Sequence, residues 1–154
     1  MRVSTPAILL ALVAGRAFCQ SDSLWAVSPD VVSAESFFLK VQARLGMVGV
    51  SMAEWSQPTI EESIGLTEQQ AKELAAIVVD HAAKNRAYLF SLAPLRRAAL
   101  FQSIESGQVS EELVRRIQNL QNEHAKMVFN QRQRVQTALG VPLFHALAAL
   151  LEKK

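Results

Sequence analysis

The stretch LTEQQAKELAAIVVDHAAKNRAYL, residues 66–89, decides the fold class. Thr67 is a good helix N-cap and Gln70 stands three positions on, so the Thr67 hydroxyl can accept from the Gln70 backbone N–H while the Gln70 amide reaches back to the Thr67 N–H. Leu66 takes the place of a hydrophobic staple with the small Ala71 as partner, and Glu68 adds negative charge at the positive end of the helix. Leu74, Val78, His81, Asn85, Tyr88 and Leu92 then return at steps of three and four, the period of one helical face. A long helix starts here.

The same period continues downstream. Pro94 cannot donate to the carbonyl four residues earlier, which predicts a kink or a break with Ser91 as a new cap. Leu95, Ala98, Ala99, Phe101 and Ile104 resume the pattern, and Gly107 marks a turn. Ser110-Glu111-Glu112 then opens a second long helix with a cap and two anions, and its apolar stripe is Leu113, Ile117, Leu120, His124, Met127, Val128, Gln131, Val135 and Leu139. Gly140 and Pro142 interrupt it, and residues 143–151 read as a short last helix. Two long helices joined near Gly107 predict an antiparallel hairpin.

Upstream, Phe37, Phe38, Val41 and Leu45 fall at helical spacing, so a first helix is expected over about 31–45, with Gly46 as its stop. Residues 46–64, with Met47, Met52, Trp55 and Pro58, have no clean period and read as an irregular connection or a short helix. Residues 20–30 read as a tether. The first nineteen residues have the form of a secretory leader: Arg2, an apolar run from Pro6 to Gly15, then small residues toward Cys19. That run is too short to span a bilayer, which takes roughly 20 apolar residues. Cleavage after Cys19 leaves Ala17 and Cys19 at the sites that want small side chains; cleavage after Gly15 is the alternative. A lipid anchor on Cys19 is less favoured, because Phe18 stands where such a site wants a small residue. The expected organisation is a leader over 1–19, a tether over 20–30 and one helical domain over 31–154, without stable membrane insertion once the leader is gone. Alternating strand patterns are absent, so the fold expected is all-α: an elongated antiparallel helical hairpin with short flanking helices, about four helices in all.

Charge is balanced but polarised. The chain has 16 basic and 14 acidic residues, and removing Arg2 and Arg16 with the leader leaves equal numbers. Residues 20–80 hold three basic and nine acidic side chains; residues 81–154 hold eleven and five. Equal totals give no basis for nucleic-acid binding, whereas the polarity suits pairing of the chain's own ends, pairing with a second copy, or a basic face for an acidic partner. Arg96, Arg97, Arg115, Arg116, Arg132 and Arg134 form a basic series along both arms, and Phe37, Phe38 and Met47 supply apolar groups. Basic groups speed the capture of partly unfolded chains, and flexible Met surfaces accommodate varied partners. The plain alternatives are a solvated basic face and phenylalanines that cover a core.

A secreted chain in which Leu66-Thr67-Glu68-Gln69-Gln70 opens a long helix that hairpins into an Arg- and Gln-rich one resembles the LTxxQ-motif (Spy- and CpxP-like) family of periplasmic stress proteins, over about residues 60–152. The resemblance implies a thin, curved helical dimer in the periplasm. It implies binding of unfolded or aggregation-prone proteins without ATP, or inhibition of a stress-sensing kinase.

Related envelope proteins also include metal-resistance factors, which makes the histidines candidates. Glu123, His124 and Met127 lie within one helical turn, a spacing able to hold a soft or borderline ion. With the turn near residue 107, however, His81 and His124 stand some ten residues apart along the axis, about 15 Å. They cannot share an ion unless a kink at Pro94 shifts the register, and His145 is better placed to approach His81. No nucleophile elbow, phosphate loop or zinc motif is present, so neither catalysis nor a cofactor is expected. The three functions the sequence supports are an envelope chaperone or stress adaptor, a metal-responsive sensor of the same architecture, and a structural helical module.

Overall fold

The structure, a computed structural model, describes residues 24–46 and 59–152. Among them are five α-helices and no strand, so the chain is all-α. They are α1 (Pro29–Arg44), α2 (Ile60–Ile64), α3 (Glu68–Ser106), α4 (Glu111–Leu139) and α5 (Val141–Glu152). The leader with Cys19, the first part of the tether, and Met47, Met52 and Trp55 lie outside the described residues. The described residues fall into two compact units, one of 28–46 and 59–86 with 124–152 and the other of 24–27 with 87–123. The single domain expected over 31–154 therefore contains two separate cores.

In the larger unit, α1 begins two residues earlier than expected because Pro29 sits at its first position, where a residue without an N–H leaves no donor unpaired. The tether accordingly stops at Ser28. Asp30 in the first turn and Arg44 in the last complement the helix dipole. Val31, Ala34, Phe37, Phe38 and Val41 form its buried face. The aperiodic stretch yields α2 at its end, built by a capping box of its own: Thr59 Oγ1 accepts from Glu62 N at 3.2 Å and Glu62 Oε2 accepts from Thr59 N at 3.2 Å. The box at the start of α3 is present as expected, with Thr67 Oγ1 accepting from Gln70 N at 3.2 Å and Gln70 Oε1 accepting from Thr67 N at 3.1 Å. Gly140, at φ +76°, lets the chain leave α4 and start α5 at Val141. α5 packs against α1 and α2. Phe38, Val41, Ile60, Leu74, Val78, Val128, Val135 and Leu147 make the centre of this core.

In the smaller unit, the end of α3 and the start of α4 meet through Leu92, Ala99, Leu113 and Ile117, with Leu24 inserted among them. Gln121 Nε2 donates to the Leu24 carbonyl at 3.1 Å, so this part of the expected tether is packed. Ser110 N–H donates to Gln102 Oε1 at 2.9 Å across the reversal at Gly107. The expected break at Pro94 is absent: α3 runs through it, and Ser91 lies in mid-helix. The carbonyl that loses its donor belongs to Phe90, which is 74% exposed, so water can serve it. Leu92 and Ala99, buried on either side of Pro94, anchor the helix on both flanks. Phe101 and Ile104, expected on the buried stripe, are exposed instead.

Candidate functional site

In the smaller unit α3 is apolar on two opposite sides. Leu92 and Ala99 face the core, while Phe90 and Arg97, each two residues away and so about 200° round the helix, face outward. Phe101 and Ile104 follow Arg97 at steps of four and three, on the same outer face, and Leu89 and Leu100 flank it. All five large apolar side chains are more than half exposed, Phe90 and Ile104 at 74% and 72%. A helix that is apolar all round normally has both faces covered, and one of these has no cover within the unit. A run of large exposed apolar side chains on one face, unlike single scattered ones, marks an interaction surface.

Within each unit the expected basic residues take different places. Arg115 stands two residues from both Leu113 and Ile117, which turns it away from the buried face of α4. Arg116 instead lines an open groove with Pro94, Leu95, Ala98 and Leu120. Arg96 lies over the Trp25 ring at 5.2 Å. In the larger unit, Arg132 lies over Phe37 and Phe144 at 5.7 and 5.6 Å. Arg134 donates to Asp80 at 2.8 Å and to Gln131 at 2.9 Å. Of the six, Arg97 stands among the exposed apolar groups. Phe37 and Phe38, expected as binding groups, are core residues, because α1 turns them inward with Ala34 and Val41.

The second notable arrangement is a part-buried cluster where α1 meets α3 and α4. Glu35 Oε2 lies 3.1 Å from His81 Nε2 and its Oε1 lies 3.0 Å from His124 Nε2, with Asn85 Nδ2 donating to Oε2 at 3.3 Å. A carboxylate only accepts, so the His81 nitrogen is the donor. The His124 Nε2 atom is close enough to Oε1 to pair with it. His81 is 1% exposed, its ring is stacked on Phe38 at 3.8 Å, and its Nδ1 is buried without a partner. Burial pulls the Glu35 pKa upward, but the contacts with His124 and His81 and their charge outweigh it and hold the carboxyl at about 2. On the surface of the same unit, hydrogen bonds from Lys84 and Gln131, joined by Arg134, hold Asp80 at about 2 as well.

This cluster corrects the expected separation of His81 and His124. The axial distance compares backbone levels and omits the reach of two imidazoles toward a carboxylate supplied by a third helix. His145 is exposed, with its ring against Phe144, so it does not take the place expected beside His81. Met127 packs on the core, and Glu123 is exposed. Among the described residues no group of three or more His, Cys, Asp or Glu could hold a metal ion.

Both Glu35 and the outer face of α3 escape a reading that follows one stripe per helix. The signals were nevertheless there. Glu35 lies on the apolar face of α1, four residues after Val31 and three before Phe38. Leu89-Phe90 and Leu100-Phe101 are adjacent pairs, which point about 100° apart and so widen a stripe beyond one face. No protein-family model, curated protein or solved structure matches the chain.

Proposed function

We propose that the protein is an ATP-independent, chaperone-like envelope protein that captures partly unfolded chains on the outer face of α3. The observation that carries this reading is the run Leu89, Phe90, Leu100, Phe101 and Ile104, exposed around Arg97. Apolar side chains on a helix supply contact area for any exposed hydrophobic segment, and the arginine favours segments with nearby acidic groups. The leader-like N-terminus suits work outside the cytoplasm, where nucleotide is not supplied. The resemblance to the LTxxQ-motif family favours the same activity and a homodimer. Envelope proteins that unfold under stress are the partners this reading names.

The test is suppression of aggregation of an unfolding model protein by the purified mature chain, without nucleotide. The triple variant Phe90→Ser/Phe101→Ser/Ile104→Ser should lose most of that suppression while keeping its thermal stability, because the altered side chains lie outside the core. Full activity in the triple variant would overturn the assignment of this face.

A further inference from the structure

We propose that α1 is an acid-released latch: its half-buried Glu35 carboxylate, set against His81 of α3 and His124 of α4, ties the helix down, and loss of that charge frees α1 from the core of its unit. Glu35 is faced from α3 by His81 and Asn85 and from α4 by His124. Arg132 of α4 also lies beside α1, but over the Phe37 and Phe144 rings, and His145 of α5 is exposed. Everything else buried by α1 is apolar: Val31, Ala34, Phe37, Phe38 and Val41.

Acid acts on this cluster in one direction. An ionised carboxylate accepts from the imidazole; a protonated one becomes a donor facing a donor. Removing one partner from a buried polar cluster leaves the rest unsatisfied, which is the costly way to break it. Because the Glu35 pKa is lowered from its ordinary 4.5 to about 2, its contribution is fully present above about 4.5 and is lost as pH falls toward about 2. Releasing α1 would uncover Phe37, Phe38 and Val41 together with Leu74, Val78 and Val128, an apolar surface hidden at neutral pH.

Hydrogen exchange read by mass spectrometry on the full mature chain, from neutral pH down to about 2 and corrected for intrinsic rates, tests this without any client. Its outcome is therefore separate from that of the capture reading. Peptides from 29–44 should lose protection between about 4.5 and about 2 while peptides from 111–139 keep theirs. Protection of α1 throughout, or its loss together with α4 at a single pH, would overturn the latch. Glu35→Gln lacks the charge at every pH and should leave peptides from 29–44 less protected than in the wild type already at neutral pH; wild-type protection there would also overturn it. The apolar replacement Glu35→Leu/His81→Phe/His124→Leu should keep α1 protected at every pH, and opening at the wild-type pH would overturn it as well.

Discussion

A side chain at a helix start and one in a core are tested by different losses. Thr67→Ala removes the acceptor for the Gln70 N–H and should cost about 0.5–2 kcal/mol, and Gln70→Ala rather less, measured by urea denaturation. Phe38 is fully buried and stacked on His81, so Phe38→Ala leaves a cavity and strips one face of the imidazole. It should cost about 3–5 kcal/mol in the same measurement. Asp80 makes a separate pH prediction. Its carboxyl is held at about 2, so what it contributes is present above its ordinary 3.8 and is lost as pH falls toward about 2. Asp80→Asn should therefore lower thermal stability at neutral pH and make little difference near pH 2. The loss should be small and reduced by salt, because Asp80 is more than a third exposed. An equal loss at both pH values would mean that the carboxylate charge is not what acts.

At the scale of the helix, α3 carries a proline that its surroundings tolerate. Pro94 is exposed, and the chain on both sides of it is anchored by Leu92 and Ala99. A proline in a helix interior is about 3 kcal/mol worse than alanine, so Pro94→Ala should stabilise the protein by about 1–3 kcal/mol. A lower melting temperature in that variant would show that Pro94 makes a favourable contact. Helix identity was legible because periodicity, caps and glycines agreed: the Thr67 box, the Gly107 turn and the Gly140 break all stand where the pattern put them. The Thr59 box was equally readable, since Thr59 and Glu62 have the same spacing, but the absence of a period around it hid the signal. What failed was the rule that proline ends a helix, which tertiary anchoring overrode. The rule of one apolar face per helix failed too, because α3 in the smaller unit has two.

Across the whole molecule, several acidic groups of the first half are engaged locally. Glu68 pairs with Lys72, Glu73 accepts from Gln69, Asp80 takes Lys84 and Arg134, and Glu62 closes the cap of α2. A count of charges along the chain therefore overstated what a partner could meet, and the candidate site was legible only in Arg97. Its apolar neighbours are not legible in the same way, since a sequence does not say which of two apolar faces will be covered. The position of Arg97 leads to a test that net charge alone would fail. Arg97 lies among Phe90, Phe101 and Ile104 on the outer face of α3, whereas Arg115 is turned from the buried face of α4. Each helix is about 10–12 Å across, and charges are screened over about 8 Å at physiological salt. Arg97→Gln should therefore slow association with an acidic unfolded client and flatten its salt dependence, while Arg115→Gln should leave both nearly unchanged at physiological salt. Stopped-flow association rates at low and physiological salt provide the comparison, with light scattering to confirm that neither substitution alters the oligomer. If the two variants slow capture equally at physiological salt, the overall field rather than the α3 face steers the client. If only Arg115→Gln slows it, the binding surface lies on α4 and the α3 assignment is wrong.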